Sequence, residues 1–269
     1  MIFIVFSLQN YIKKMIYKNL HYEFIAGTKQ SNIKFVLLHG WGHSLLNIKP
    51  IAEQLGEYDC YLIDLPGFGQ SDMPTEVLSV SNYTDIIVDF IRAKFSCDDR
   101  VYIVGHSFGG RIAVYLGAYY PQLISGIFVV AGAGLKKHKR LLREVILTGA
   151  RGLRTFYRII GRDVMTSSLY RKYYARFASA DYKNATPLMR EILKKTVLED
   201  LSHIARSVSV PTTLIYGERD TTTPAYFGKK YNRLIKNSHL YILPTFDHNS
   251  ILSAGKYQVA SIILNTIKD

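Results

Sequence analysis

A chain of 269 residues with 48 % hydrophobic and 20 % charged residues is long enough to bury a substantial core and too apolar for a disordered tail. The formal net charge is +13, from 34 Lys or Arg against 21 Asp or Glu. That length and composition fit one large α/β domain with room for an inserted subdomain, while two cysteines, Cys60 and Cys97, exclude a disulfide framework and no Cys/His cluster has metal-ligand spacing, which predicts a reducing, cytoplasmic setting with no structural metal.

The opening Met1–Leu8 is apolar, but no positive charge precedes it, no small-x-small site follows, and it is too short to cross a bilayer. Residues 1–14 therefore read as an extension, either an upstream start ahead of Met15 or a short apolar arm, and no transmembrane segment is expected. Strands are expected at Tyr17–Ala26, Lys34–Leu38 and Tyr58–Leu65, with a helix over Leu46–Leu55 between the last two. Tyr83–Phe95 has helical spacing with Ser81 or Asn82 as its cap. A strand at Val101–Gly105, a helix over Phe108–Tyr119 and a strand at Gly126–Val130 follow. Later come strands at Pro211–Tyr216 and Leu240–Leu243 and a final helix over Ser253–Ile267. Strands alternating with helices predict a mostly parallel sheet covered on both faces, with functional loops at the strand C-terminal ends.

The sharpest of those loops is Gly105-His106-Ser107-Phe108-Gly109, a Gly-x-Ser-x-Gly turn between a β-branched run and a helical pattern. A serine on such a turn is lifted into the open, and the helix that follows aims free N–H groups at it. Ser107 is the candidate nucleophile. The general base and its carboxylate should then follow later strands. After Tyr216 comes Gly217-Glu218-Arg219-Asp220, and after Leu243 comes Phe246-Asp247-His248-Asn249. The order Ser107, Asp220, His248 gives a nucleophile, an acid to fix the imidazole tautomer, and a base. Glu218 and Asp247 are rival acids; His43 and His106 read as loop hydrogen-bonders. The second oxyanion donor is expected from His39-Gly40-Trp41-Gly42, where Trp41 offers its backbone N–H beside that of Phe108.

These motifs, with Asp64-Leu65-Pro66-Gly67-Phe68-Gly69-Gln70-Ser71-Asp72, resemble the α/β-hydrolase superfamily in family order. The resemblance implies an eight-stranded, mostly parallel sheet with its second strand antiparallel and a helical cap after the sixth strand. It also carries the catalytic roles onto Ser107, Asp220 and His248, and the oxyanion roles onto Trp41 and Phe108. A serine at 107 argues against the epoxide hydrolase and dehalogenase branches. The core is then expected at 15–134 and 207–269, with a basic helical cap at 135–206. No cofactor is implied, since water deacylates the serine.

The cap segment holds 17 Lys or Arg against 6 Asp or Glu. Arg151, Arg154, Arg158 and Arg162 recur at three- and four-residue steps, which places them on one helical face. Such a stripe is either a solvated face or an attractor for an acidic partner or anionic substrate; no nucleic-acid motif accompanies it. The HGWG loop and arginine-bearing cap resemble pimeloyl-acyl-carrier-protein methyl ester esterases, which implies a small acyl ester as substrate and acyl carrier protein as partner. The stretch Ala178–Leu201 looks more like a cap from bacterial hydrolases of undefined substrate. Phe156, Tyr157, Tyr173, Tyr174 and Phe177 are candidates for lining the acyl pocket. The expected activity is that of a serine esterase; the alternatives are carbon–carbon bond hydrolysis on the same fold, or a ligand-binding homologue without turnover.

Overall fold

The computed structural model describes residues 19–136, 155–159, 161 and 185–268. The chain divides into two compact units, Met1–Leu135 with Glu191–Asp269, and Lys136–Arg190.

In the first unit, seven strands form one sheet in the order β1-β3-β2-β4-β5-β6-β7: β1 (Tyr22–Ile25), β2 (Ile33–Leu38), β3 (Asp59–Ile63), β4 (Arg100–His106), β5 (Gly126–Val130), β6 (Thr212–Gly217) and β7 (Ser238–Leu243). Only β1, paired with β3, runs antiparallel; every other pairing is parallel. The sheet has seven strands among the described residues, where the resemblance implied eight. Its antiparallel strand is the first of these.

Strand alternation sorts the core. Phe35, Leu37, Cys60, Leu62, Tyr102, Val104, Phe128, Val130 and Ile215 point to one face. There they meet Leu45, Ile48 and Ile51 of α1 (Leu45–Ala52) and Val259, Ala260 and Ile263 of the C-terminal helix. On the opposite side α3 (Phe108–Tyr119) and α6 (Ala225–Leu234) lie against the sheet, and α2 (Val80–Lys94) and α5 (Ser202–Ala205) pack on α3; α4 (Pro187–Leu198) precedes α5 in the chain. α3 is buried along most of its length, so the helix after Ser107 cannot shift without disturbing the core.

Among the boundaries that differ from expectation, three bear on the layout. α2 begins at Val80, three residues before Tyr83: Ser79 is its cap, and Ser79 and Asn82 form a reciprocal capping box. The final helix is two, α7 (Ser250–Ser253) and α8 (Lys256–Lys268), separated at Gly255. The second compact unit ends at Arg190 rather than 206. Residues 191–206 return to the first unit because Ile192, Leu201, Ile204 and Ala205 are buried and Leu201 N–H donates to the Gly134 carbonyl, 2.8 Å away, just beyond β5.

In the second unit, residues 155–159 form a short helix. On it Arg158 is exposed, Phe156 is 56 % exposed and Tyr157 is half-buried, with the two rings edge-on at 6.0 Å. Arg151, Arg154, Arg162, Tyr173, Tyr174 and Phe177 lie outside the described residues, as does the 1–14 extension.

Candidate active site

β4 ends at His106 and α3 starts at Phe108, so Ser107 alone makes the turn. Its φ of +49° is a conformation that an L side chain adopts only under strain. The surroundings enforce it: Ser107 N–H donates to the Val130 carbonyl at 3.0 Å, and the Ser107 carbonyl accepts from Gly110 N–H at 3.1 Å and Ala133 N–H at 3.0 Å. Gly109 is required because a Cβ there would collide with the Leu38 carbonyl at the end of β2. Two other non-glycine residues in the described chain have positive φ, Ala131 (+47°) and Thr245 (+72°), and both follow strands that end beside Ser107 or His248. Strain is thus gathered at one end of the sheet.

The loop after β7 brings His248 Nε2 to 3.0 Å from Ser107 Oγ, and the loop after β6 brings Asp220 Oδ2 to 2.7 Å from His248 Nδ1. With its proton on Nδ1 facing the carboxylate, the imidazole leaves Nε2 open to accept from the serine hydroxyl. Asp220 is 3 % exposed. Burial pushes its carboxyl up, yet the hydrogen bond and charge of His248 and the N–H and hydroxyl of Thr223 outweigh burial and hold it below the usual carboxylate range. The rival acids are elsewhere: Glu218 is exposed, and Asp247 Oδ1 accepts from Asn249 N–H at 3.0 Å and Ser250 N–H at 2.8 Å.

Two histidines brace this constellation. His39 Nε2 accepts from Leu65 N–H at 3.0 Å, so its proton sits on Nδ1 and is donated to the Gly40 carbonyl at 2.7 Å. Burial pushes its pKa down to about 4. The Gly40 carbonyl also accepts from His43 N–H at 3.2 Å, and a trans peptide held by its oxygen turns the Trp41 N–H the opposite way. Gly40 itself lies against the serine: a Cβ there would stand 2.9 Å from His106 Nδ1 and 3.3 Å from Ser107 Cβ. The Trp41 ring packs edge-on against Phe68 at 4.9 Å and Phe108 at 5.4 Å, filling the hollow beside the loop. Phe108 is the first residue of α3, where a backbone N–H has no intrahelical acceptor.

His106 is fully buried, and burial, with the adjacent His248 and His43, drives its pKa well down. The neutral ring donates from Nε2 to the His248 backbone carbonyl at 3.0 Å and lies 4.8 Å from the His248 ring. It therefore ties the loop after β7 to the end of β4. Thr223 is the residue that sequence reasoning missed: its hydroxyl lies 2.8 Å from Asp220 Oδ2 and 3.1 Å from His248 Nδ1. Its only sequence signal is the run Thr221-Thr222-Thr223 after Asp220. Among the described residues no group of three or more His, Cys, Asp or Glu is placed to hold a metal ion, and no helix is long and apolar enough to cross a membrane.

A mostly parallel sheet with a strained serine between its central strand and a buried helix, joined to a histidine and a carboxylate from later strand ends, defines an α/β hydrolase. The chain belongs to that family: the alpha/beta hydrolase fold matches residues 34–254. Among curated proteins it is 27 % identical over 239 residues to the pimeloyl-[acyl-carrier protein] methyl ester esterase of Chromobacterium violaceum, covering 81 % of this chain and 88 % of that one. It is 22 % identical over 251 residues to 2-hydroxy-6-oxononadienedioate/2-hydroxy-6-oxononatrienedioate hydrolase 1 of Pseudomonas putida, covering 86 % and 85 %. Among solved structures, a lipase-esterase related protein of Clostridium acetobutylicum shares the fold at a TM-score of 0.67 and 23 % identity, over 91 % of this chain and 98 % of that one. A bacterial membrane phospholipase A does so at 0.70 and 20 %, over 98 % and 92 %.

Proposed function

We propose that the chain is a serine hydrolase that cleaves a carboxylic ester or thioester through an acyl-enzyme on Ser107. The observation that carries this reading is the continuous hydrogen-bonded chain Ser107 Oγ, His248 Nε2, His248 Nδ1, Asp220 Oδ2, at 3.0 and 2.7 Å. As Ser107 Oγ bonds to the substrate carbonyl carbon, its proton passes to His248 Nε2 and Asp220 stabilises the resulting cation. The carbonyl oxygen becomes an oxyanion and takes hydrogen bonds from the Phe108 and Trp41 N–H groups, aided by the positive end of α3. Collapse expels the alcohol or thiol, which leaves with the proton from His248. Water then repeats the sequence with His248 as base, releasing the acid and restoring Ser107.

The measurement is hydrolysis of p-nitrophenyl esters of increasing acyl length by the wild type and Ser107→Ala. The wild type turns over and the variant loses about 10³-fold or more in kcat. Turnover undiminished in Ser107→Ala would contradict the reading.

Within this class we favour a carrier-linked acyl methyl ester as substrate. The name of the Chromobacterium relative supports it, as does the basic stretch 135–206 that bears Arg154 and Arg158. The test is Arg154→Glu with Arg158→Glu: the rate on a carrier-linked ester falls while that on a p-nitrophenyl ester holds. An unchanged rate on the carrier-linked ester would remove the carrier. The Pseudomonas relative supports carbon–carbon bond hydrolysis as the second reading, checked by offering a vinylogous 1,5-diketone to the same pair of proteins.

A further inference from the structure

Thr223 sits where three groups meet, and its hydroxyl has one proton. Oγ1 is 2.8 Å from the Ala131 carbonyl oxygen, 2.8 Å from Asp220 Oδ2 and 3.1 Å from His248 Nδ1, and the residue is buried. Carbonyl and carboxylate can only accept, so the hydroxyl donates to one or the other. The imidazole, protonated on Nδ1, can only donate. Either orientation leaves a lone pair on Oγ1 for the Nδ1–H, but the two differ electrostatically. Donation to Asp220 offsets part of the carboxylate charge; donation to Ala131 leaves that charge whole.

We propose that the Thr223 hydroxyl is a rotor that follows the charge on His248, donating to Asp220 Oδ2 while the imidazole is neutral and to the Ala131 carbonyl once it carries the Ser107 proton. Thr223 is then a positioning residue, and its role rests on the reading of Ser107, His248 and Asp220 as nucleophile, base and acid. The transferred proton moves only from Ser107 Oγ to His248 Nε2; the threonine proton stays on its own oxygen and swings about the Cβ–Oγ bond. In the second orientation the imidazolium N–H faces an undiminished carboxylate and the negative end of the hydroxyl dipole. Stabilisation therefore grows as charge develops, which is the kind that lowers a barrier rather than tightening ground-state binding. No heavy atom has to move, so the response costs little reorganisation.

The acceptor that makes the switch work is fixed. Ala131 is held at φ +47° directly after β5, and its N–H donates to the Ile215 carbonyl at 2.8 Å. Asp220 is fixed as well, since its Oδ1 accepts from Thr222 N–H at 2.7 Å and Thr223 N–H at 2.8 Å, leaving Oδ2 to the imidazole and the hydroxyl. The titratable groups facing His248 are Asp220 from the β6 loop, Ser107, and neutral His106 from the end of β4, with His43 stacked on the far side of His106. Asp247, exposed in the same loop as His248, adds a solvent-screened charge.

The test measures kcat, KM and the pH profile of kcat/KM on a p-nitrophenyl ester for Thr223→Val and Thr223→Ser, beside the wild type and Ser107→Ala. Thr223→Val lowers kcat about 10- to 100-fold at nearly constant KM and moves the acid limb of the profile to lower pH, because the imidazolium has lost a partner. Thr223→Ser restores both. If the Val variant does not fold, Thr223→Ala removes the hydroxyl without pressing a methyl on the Ala131 oxygen, and the same changes are expected. An acid limb that stays put or rises, an unchanged kcat, or a Ser variant as impaired as Val overturns the rotor. Activity surviving in Ser107→Ala would instead overturn the underlying site.

Discussion

The loops after β6 and β7 each place an aspartate near His248, and locally the two are built alike. Asp220 Oδ1 accepts the backbone N–H groups two and three residues on, from Thr222 and Thr223; Asp247 Oδ1 does the same with Asn249 and Ser250. Both carboxyls are held below their usual range: in Asp247 by the Ser250 and Asn249 hydrogen bonds, and in Asp220 by His248 and Thr223 against the opposing effect of burial. What separates them is the second oxygen. In Asp220 it is buried and meets His248 Nδ1 at 2.7 Å, whereas Asp247 stands in solvent and holds the start of α7. An identical turn thus serves a hydrogen bond to the imidazole in one loop and a helix terminus in the other, and tertiary placement alone assigns the role.

Breaking that contrast at its strong side has the larger consequence. Asp220→Asn keeps the turn but gives the imidazole the wrong partner, so kcat on a p-nitrophenyl ester falls by about 10³- to 10⁴-fold. Gly40→Ala comes next: its methyl would press on His106 Nδ1 and Ser107 Cβ, shifting the Trp41 donor and lowering kcat about 10²-fold. Asp247→Asn marks the weak side, with kcat/KM within about threefold of wild type, because a screened charge with no contact to the imidazole ring has little to lose.

The bracing histidines sharpen the comparison through pH. The pKa of His39 falls from 6.5 to about 4 on folding, so below pH 6.5 the unfolded chain binds a proton that the folded one refuses. Stability is therefore full above pH 6.5 and declines as pH drops toward 4, by about 3 kcal/mol for this group. His106, also driven well down by burial, adds in the same direction. Urea titrations from pH 7 to pH 4 should show this decline, and it should be shallower in His39→Asn, which has no proton to take up.

Much of the first unit was legible in the sequence because its signals are local. The β-branched run into Gly105-His106-Ser107-Phe108-Gly109 marks β4, the turn and α3 together, and each motif falls at a strand C-terminal end. The misplacements have physical causes. Ser79, Ser81 and Asn82 all offer capping groups, and only the reciprocal Ser79–Asn82 pairing decides among them. The apolar pattern of Ile251, Leu252, Val259 and Ile263 runs on through the break at Gly255. Residues 191–206 read as cap because they are helical in pattern and precede the strand at Pro211, while the burial of Ile192, Leu201 and Ile204 that returns them to the core depends on contacts distant in sequence. Thr223 could not be read at all, since a threonine after an aspartate is ordinary turn chemistry and its meaning comes from Ala131 and His248, far along the chain in opposite directions.

The central claim is that Ser107 is activated by His248, and covalent labelling tests it most directly. Wild type, Ser107→Ala and His248→Ala are each treated with a fluorophosphonate and analysed by intact-mass and peptide mass spectrometry. The account predicts one adduct per chain on Ser107 in the wild type, none in Ser107→Ala, and labelling slowed by several orders of magnitude in His248→Ala. An adduct on another residue, or wild-type labelling speed without His248, would contradict it.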